Sequence, residues 1–338
     1  MPSPGTAATA LSARSKPTRR LGALAWLVGL CVLAGLIATS NRQELAAAIA
    51  LAGWSLGLVA VVHLGTLFAD TLGWRAVVAG RRRPALGTMA VQRWIGASVN
   101  SLLPVAQIGG EFVRAQMLAR AGVAGPVAGA SVVVDLTAGL FTQILFILLG
   151  IALFLEQRGG ASWLLQAAGG LALFSVFLVG FGIAQRRGLF LGLARILERA
   201  ARGRGWQGLV GSAAALDRAI VASYRDRSKL ALCACWRSLG WLSGSVEIWL
   251  AFWLLGHPIG LTEAVILESL GQALRSAGFA LPGGLGAQEG GIVAGGALLG
   301  IEPTIVLAVA LIKRARELAY GVTGLIAWSL AGLGRTAS

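Results

Sequence analysis

An apolar region near the C-terminal end of the chain is interrupted between Leu281 and Gly291 by one proline, five glycines and the carboxylate of Glu289. Proline blocks the continuation of a helix, and glycine accepts turns that other residues avoid. In hydrocarbon, a broken backbone survives only where it is buried in protein or lines a polar cavity. A charge at such a break indicates a functional site, although an ordinary loop between two short helices would have a similar composition.

A second copy of this pattern lies in the first half of the chain. Pro104 precedes Glu111 by seven residues, as Pro282 precedes Glu289, and a shift of 178 residues superposes both pairs. Paired interrupted segments in two halves of a chain are typical of transporters, whose binding site lies where the two repeats meet. The sequence therefore predicts an internal repeat with a site near its two breaks.

Composition indicates a membrane protein. Hydrophobic residues make up 56% of the chain and charged residues 13%, whereas charged residues average about 25% of a soluble domain. Apolar segments that are long enough to cross a bilayer as helices lie at 21–39, 45–78, 127–155, 163–184, 230–256 and 303–330. Segments 88–118 and 261–300 hold the breaks. The predicted fold is an all-α polytopic membrane protein with about six transmembrane helices and two re-entrant broken-helix hairpins in an inverted repeat.

The net charge of +15 is explained by Lys and Arg in short cytoplasmic loops, with contact to anionic lipid headgroups as an addition. The sequence shows no soluble module for binding nucleic acid. On this basis residues 1–20 form a disordered basic cytoplasmic N-terminus and residues 21–330 a single membrane domain. Its repeats span about 45–155 and 230–330, and a basic cytoplasmic loop covers 186–229. Both termini are predicted to be cytoplasmic.

Two segments allow a second interpretation. The basic leader before residues 21–39 also resembles a signal peptide. That apolar run is long for a signal peptide and lacks a clear cleavage site after it, so we expect an uncleaved anchor. Loop 186–229 is either a basic amphipathic helix lying on the inner leaflet or a solvated loop that only sets the topology.

Cysteine and histidine predict no metal site. Cys31 lies in an apolar run, and Cys233 and Cys235 form a Cys-x-Cys pair without a third and fourth ligand. His63 and His257 are distant in sequence, and we interpret them as packing or interface residues. We expect no metal and no cofactor.

Charged and amide side chains recur at helical spacing inside the predicted spans and hairpins. The candidate substrate-binding residues are Asn100, Glu111, Arg114, Asp135, Glu268, Gln272, Arg275, Glu289, Lys313, Arg316 and Glu317. The residues assigned to the two breaks are Pro104, Gly109, Gly110, Pro282, Gly283, Gly284 and Gly286. A cation at a helix centre costs about 2.5–3.5 kcal/mol on insertion scales, so the basic residues of the last span need carboxylate partners. The alternative is an ion-pair network with a purely structural role, which desolvation would oppose.

These motifs resemble the transmembrane domain of bacterial lysyl-phosphatidylglycerol synthases, a flippase-like membrane family. The resemblance is carried by Asn100–Pro104, Gly109–Glu111 and Pro282–Glu289, together with the basic stripe of the last span. Four further strings look like the HpnL-type proteins that are associated with hopanoid biosynthesis. Those strings begin at Arg93, Ser131, Leu267 and Lys313.

The resemblance implies that the chain handles lipids. In the synthases this domain is regarded as moving a modified phospholipid between leaflets, while a separate cytoplasmic domain does the aminoacyl chemistry. No such soluble domain is evident here, so we do not carry the aminoacyl transfer over and expect no enzymatic activity. The leading hypothesis is a flippase-like translocase of the bacterial inner membrane whose substrate is a hopanoid or a related lipid.

In that hypothesis the headgroup enters a charged pocket between the two hairpins. Glu111 and Glu289 would bind cationic or hydroxyl groups, and Arg275, Lys313 and Arg316 would balance them or bind phosphate. The expected partners are a membrane lipid, either a hopanoid or an anionic phospholipid, and enzymes of lipid biosynthesis. Two alternatives remain, namely a membrane-embedded lipid headgroup transferase and a non-catalytic scaffold for lipid-synthesis enzymes that docks through segment 186–229.

Overall fold

The computed structural model describes residues 56–80, 83–103, 108–158, 179–192, 207–279 and 281–330, together with Val176 and scattered positions between 27 and 53. These residues contain no β-strand, and the chain is an all-α membrane protein as predicted. Its main helices are α1 (Leu56–Val77), α2 (Leu86–Leu102), α3 (Gly109–Arg120), α4 (Gly125–Arg158), α5 (Gln207–Arg225), α6 (Arg227–Leu254), α7 (Leu261–Ala277), α8 (Ala287–Leu299) and α9 (Pro303–Leu330).

Helices α1–α4 and α6–α9 repeat one pattern. In each half a long helix is followed by a helix of 17 residues, then by one of 12 or 13 residues, then by a second long helix. The two short helices of each half pack on each other. Across the halves, α2 packs on α9, α7 packs on α4, and α1 packs on α6. This reciprocal exchange of partners is what two repeats related by a two-fold axis produce.

Both predicted breaks interrupt the helices. In the first half α2 ends at Leu102 and α3 begins at Gly109, so that Gly109 and Gly110 open the second short helix. Pro104 lies outside the described residues. The backbone N–H of Gly110 donates to Asn100 Oδ1 at 2.7 Å, so one of the N–H groups at the start of α3 has an acceptor.

In the second half a short 3-10 turn, Pro282–Gly284, precedes α8. Gly283 has a φ of 59°, in the left-handed region that glycine accepts without strain. A Cβ atom built on Gly283 would lie 2.5 Å from the carbonyl oxygen of Ser101, so the second break touches the end of α2. Gly286 caps α8, and its N–H donates to Glu289 Oε2 at 2.8 Å.

The short helices meet at equivalent positions in both halves, and more closely in the first. Gly96 and Gly271 are each the eleventh residue of their 17-residue helix. A Cβ on Gly96 would lie 2.9 Å from the carbonyl oxygen of Gly110, and a Cβ on Gly271 would lie 3.6 Å from that of Gln288. Gly110 and Gln288 are in turn the second residues of α3 and α8. The same contact between the two short helices therefore occurs in both halves.

Large apolar side chains point away from the protein in helical stripes. Along α6 the exposed ones are Leu232, Leu239, Leu242, Val246 and Trp253. Their spacing of seven, three, four and seven residues puts them on one side of the helix. Exposed apolar surface of this extent marks contact with lipid or with another protein.

Two helices in the described part of the chain are both long enough and apolar enough to cross a bilayer, over residues 57–77 and 125–157. Helices α6 and α9 have the length but carry more charges. The count of six transmembrane helices and the re-entrant geometry of the hairpins stay predictions. Most of segments 21–39 and 163–184 lies outside the described residues.

Segment 186–229 contains α5, which packs on α4. Ile220 of α5 is fully buried and belongs to the apolar core of the first half, beside Trp74 and Leu118. Asp217 accepts the N–H of Leu191 at 2.8 Å and thereby ties α5 to segment 179–192. Residues 193–206, on which much of the predicted amphipathic helix falls, lie outside the described residues.

Candidate functional site

Charged side chains meet in two buried networks, one in each half of the fold. The first network is formed by six side chains from α1, α2, α3, α4 and α6, namely Asp70, Arg93, Glu111, Arg114, Asp135 and Arg237. Its three carboxylates balance its three guanidinium groups. Burial of such groups is tolerable only when every charge finds a partner.

Asp135 is the centre of the first network. Its Oδ2 accepts from Arg93 Nη1 at 2.8 Å and from Arg114 Nη2 at 2.8 Å, and the side chain is 1% exposed. Arg93 Nη2 also donates to Asp70 Oδ2 at 2.9 Å, and Arg237 reaches the same oxygen at 2.7 Å. The arginines therefore link α1, α2, α3, α4 and α6 through two carboxylates.

Glu111 forms the edge of the first network. Its Oε2 accepts from Arg114 Nη1 at 2.8 Å, as the i, i+3 spacing predicted. Its Oε1 faces Asn100 Nδ2 at 3.4 Å. The guanidinium of Arg114 also stacks over the ring of Trp74, 4.3 Å from its centroid. Glu111 is held in place by these contacts but remains partly exposed.

The second network joins α6, α7, α8 and α9, and it also contains His63 of α1. Its charged members are Glu247, Glu268, Arg275, Glu289, Lys313, Arg314, Arg316 and Glu317. Four carboxylates balance four cations. Each of these charged side chains has at least one partner of the opposite sign, which offsets the cost of holding them in an apolar region.

Lys313 forms an ion pair with Glu268, whose Oε1 also accepts from Gln272 Nε2 at 2.9 Å. The predicted polar stripe of α7 is therefore continuous from Glu268 to Gln272. Lys313 and Glu268 are both about 4% exposed. Pairing of the two side chains offsets part of the desolvation cost of burying them.

Arg314 holds two carboxylates of the second network. Its Nε donates to Glu289, and its Nη1 donates to Glu317 Oε2 at 2.7 Å. Glu317 is also paired with Arg275, which in turn donates to the side-chain oxygen of Gln288. Arg314, and not Arg316, is therefore the partner of the carboxylate at the second break.

Arg316 contacts a third carboxylate. Its Nη2 donates to Glu247 Oε2 at 2.7 Å, and its Nη1 lies 3.1 Å from His63 Nε2. His63 Nδ1 lies 2.9 Å from Glu247 Oε1, so that the three side chains form a closed triangle. The ring of Tyr320 stands edge-on to His63 with the centroids 5.0 Å apart.

The central pair of each network occupies equivalent positions with opposite signs. Arg93 and Glu268 are each the eighth residue of their 17-residue helix, and Asp135 and Lys313 are each the eleventh residue of the long helix that closes the half. In the first half the pair is Arg93 with Asp135, and in the second half it is Glu268 with Lys313.

An apolar cavity of about 870 Å³ lies between α3, α4, α5 and segment 179–192. Its wall is formed by Ile108, Glu111, Phe112, Ala115, Gly125, Pro126, Gly129, Val132, Val133, Leu136, Phe181, Gln185, Phe190, Ser212, Ala213 and Leu216. Among these described residues Glu111 is the only charged one. Apolar walls with a few placed polar groups are typical of small-molecule sites.

Comparison with known proteins gives the family. The model of the lysylphosphatidylglycerol synthase TM region matches residues 26–324, which include both networks and both breaks. The chain belongs to this family. The predicted resemblance is thus confirmed at the level of the family, and the closer likeness to HpnL-type proteins stays a prediction. No curated protein and no solved structure matches the chain.

In this family member the predicted binding residues fall into two groups. Four belong to the first network or contact it, namely Asn100, Glu111, Arg114 and Asp135. The other seven belong to the second network or contact it, namely Glu268, Gln272, Arg275, Glu289, Lys313, Arg316 and Glu317. No ion pair between the two networks occurs in the described part of the chain.

Sequence reasoning missed several members of both networks, namely His63, Asp70, Arg93, Arg237, Glu247 and Arg314. A usable signal was present for two of them, because the shift of 178 residues places Asp70 within one residue of Glu247. Within the described residues no group of His, Cys, Asp and Glu is placed to hold a metal ion. Cys233 is buried near Asp135, and Cys235 is exposed.

Proposed function

We propose that this protein moves a lipid between the leaflets of a bacterial inner membrane. The observation that carries the proposal is the position of Glu111, which belongs both to the first network and to the wall of the apolar cavity. One site therefore offers apolar room for a lipid tail and a carboxylate acceptor for a polar head. Membership of a lipid-related membrane family supports this assignment.

The lipid we propose is a hopanoid or a related amphiphile with a polycyclic tail and a hydroxyl or amine donor. A wall whose one charged described residue is a carboxylate favours a donor group over a phosphate. A rigid tail also loses little conformational entropy when it enters a preformed cavity. An anionic phospholipid is the other candidate, and it would have to be recognised by the cations of the second network.

The two halves of the fold would move between two relative arrangements, and this movement would carry the lipid across the membrane. Each half holds a broken helix pair and a buried network, and the breaks touch where Gly283 meets Ser101. Replacing a buried ion pair by apolar residues is often neutral or stabilising. The fourteen charged groups of the two networks are therefore poorly explained by stability alone. We propose that their ion pairs change partners when the halves move during transport.

We also propose that the chain is not itself an enzyme. A general base must be placed to take up a proton from its substrate, whereas the carboxylates of both networks are ion-paired with arginine or lysine. Enzymes of lipid synthesis would then supply the substrate as partners. The excess of Lys and Arg agrees with a membrane domain whose two termini are cytoplasmic.

The test is lipid exchange in proteoliposomes that contain the purified protein, with a hydroxylated hopanoid, phosphatidylglycerol and phosphatidylcholine as separate probes. Glu111→Gln removes the charge in the cavity wall, and Ala115→Phe fills the cavity from α3. Gln116→Phe is the matched control, because Gln116 is exposed on the same helix and does not line the cavity.

We expect the wild-type protein and Gln116→Phe to accelerate exchange of one lipid class, and Glu111→Gln and Ala115→Phe to slow it about tenfold, equivalent to about 1.4 kcal/mol of lost interaction. Acceleration of no lipid class, with ion and pH gradients also applied, would contradict translocation. Equal rates for Ala115→Phe and Gln116→Phe would show that the cavity is not the lipid site. A requirement for an activated donor would point to a transferase.

A further inference from the structure

A second apolar cavity, of about 470 Å³, lies between α4, α6, Tyr224 of α5 and segment 179–192, and we call it the α4–α6 groove. Its wall is apolar except for Thr137, Arg186 and Tyr224, and Arg186 is the only charged group among the described residues that line it. No residue of this wall lines the larger cavity beside Glu111. The groove is therefore a second site, and its charge has the opposite sign.

The apolar part of the groove follows α4 for several turns. Val134, Phe141 and Leu148 lie at intervals of seven residues, and all three line the groove. From Val134 to Leu148 the helix rises about 21 Å, whereas the hydrocarbon of one leaflet is about 15 Å deep. Phe141 and Leu145 are about half exposed, so the groove opens on the outer surface of the helices. A groove of this length and composition fits the acyl chain of a lipid.

The polar side chains of the wall lie together at one end of the groove. Gln185 accepts a hydrogen bond from the hydroxyl of Tyr224 at 2.5 Å, and its Nε2 donates to Thr137 Oγ1 at 3.2 Å. Arg186 is the next residue in the chain. Leu148 lies eleven residues beyond Thr137 on α4, at the far, apolar end. The groove is therefore amphipathic along its length, as a phospholipid is.

Arg186 is held at the groove while its hydrogen-bond donors stay free. Its guanidinium lies over the ring of Tyr224, 5.1 Å from the centroid, so that the contact uses the face of the group and not its N–H edge. In the described part of the chain these N–H groups form no ion pair and no hydrogen bond. Arg186 thus differs from the arginines of the two networks, which are all paired with carboxylates.

The charge around this end of the groove is positive. Three further exposed arginines lie beside Arg186 or Tyr224 in the chain, namely Arg187, Arg225 and Arg227. The acid between α5 and α6, Asp226, is paired with Lys229. Within the described residues none of the three arginines has a carboxylate partner. A ligand that reaches this end therefore meets an excess of cations, on the side of the membrane that the Lys and Arg count predicts to be cytoplasmic.

We propose that the α4–α6 groove binds an anionic phospholipid, with one acyl chain along α4 and the phosphate at Arg186. A guanidinium group donates to phosphate oxygens in pairs, and the surrounding arginines favour a headgroup that has no amine to compensate its phosphate. Tyr224 is a positioning residue, because its ring supports the guanidinium. This lipid is a fixed ligand, separate from the lipid proposed for the cavity at Glu111, and the inference stands without the proposed transport.

The test is native mass spectrometry of the full chain in detergent, titrated with dioleoyl phosphatidylglycerol, dioleoyl phosphatidylcholine or inorganic phosphate. Arg186→Gln removes the cation, and Arg187→Gln is its matched control, because Arg187 is exposed and does not line the groove. Ala231→Phe narrows the groove from α6. Its control is Ala222→Phe, because Ala222 is exposed on α5 outside the groove.

We expect one molecule of phosphatidylglycerol to bind about tenfold more tightly than phosphatidylcholine to the wild-type protein and to both controls. Arg186→Gln should lose this preference, and Ala231→Phe should bind both lipids about tenfold more weakly. Inorganic phosphate should not bind at the same concentrations, because it has no acyl chain. Phosphatidylglycerol should also raise the unfolding midpoint of the wild-type protein more than that of Arg186→Gln, since a ligand of the native state stabilises it. Midpoints without added lipid show that each variant is folded.

Four outcomes would overturn the inference. Equal affinity of the wild-type protein for the two lipids would exclude recognition of charge. Equal losses in Arg186→Gln and Arg187→Gln would assign the attraction to the whole basic surface, and undiminished affinity in Ala231→Phe would place the lipid elsewhere. Binding of inorganic phosphate that Arg186→Gln abolishes would show an anion site without a lipid. Failure of the proposed transport is distinct, because it is measured in Glu111→Gln and Ala115→Phe, which lie outside this groove.

Discussion

The two halves of the fold build the same buried pair with opposite charges. In the first half the long closing helix supplies the acid, Asp135, and in the second half it supplies the base, Lys313. The surrounding backbone is alike, since the short helices touch through Gly96 in one half and Gly271 in the other. The comparison shows that this position of the fold accommodates a neutralised pair with either arrangement of the two signs.

The halves differ more in what surrounds the pair. Asp135 holds two arginines, and its network reaches the apolar cavity through Glu111. Lys313 pairs with Glu268 alone, and the second network includes the ring of His63 beside Glu247. The duplicated framework therefore borders an apolar cavity in one half and contacts a histidine ring in the other.

The largest effect is expected from Asp135→Asn. The change leaves Arg93 and Arg114 without their shared carboxylate, and breaking a buried pair in this way costs about 3–5 kcal/mol. The measurement is the free energy of unfolding in mixed micelles. Glu156→Gln is the control, because Glu156 is exposed on the same helix. Equal losses in the two variants would show that Asp135 is not the centre of the network.

Removing both partners of the central ion pair should affect stability differently in the two halves. Lys313→Met and Glu268→Met should each cost about 3–5 kcal/mol, and the double variant should recover most of that loss because no charge is left alone. Arg93→Met with Asp135→Met should recover less, because Arg114 loses one of its two carboxylates and Asp70 loses one of its two arginines. The test is a double-mutant cycle in each half. Equal recovery in both would contradict the asymmetry.

Alanine at the close helix contacts should have a smaller effect that also differs between the halves. A Cβ on Gly110 would lie 2.0 Å from the carbonyl oxygen of Gly96, whereas a Cβ on Gly271 meets the movable side chain of Ile292. We expect Gly110→Ala to cost about 1–3 kcal/mol and Gly271→Ala less. Gly290→Ala, with no atom within 4 Å of its Cβ, is the control. Unfolding midpoints in detergent provide the measurement.

The two glutamates at the breaks should differ in their effect on stability, with the smaller effect at Glu111. Glu289→Gln should cost about 1–3 kcal/mol, since a buried amide cannot accept from both Gly286 and Arg314. Glu111→Gln should cost less than about 1 kcal/mol, because a single oxygen suffices for Arg114 and the side chain is partly exposed. Thermal unfolding in the same detergent compares them. A reversed order would mean that Glu111 has a structural role.

Local chemistry explains how much of this fold the sequence predicts. Proline followed within a few residues by clustered glycines ends a helix, so both breaks follow from composition. Helical spacing likewise predicts that Glu111 meets Arg114 and that Glu268 meets Gln272, because each pair lies on one face of one helix. The all-α membrane architecture and the family follow from the same local patterns.

The tertiary structure decides which charged residues on different helices form ion pairs. A uniform shift of 178 residues places Arg93 on Gly271. The shift therefore does not show that Arg93 is equivalent to Glu268. The connection between the short helices is longer in the second half, 278–286 against 103–108, so the register of the repeat changes at the break. Sequence alone established that buried charges need partners. Only the packing of distant helices decided which ones meet, because no local periodicity relates residues on different helices.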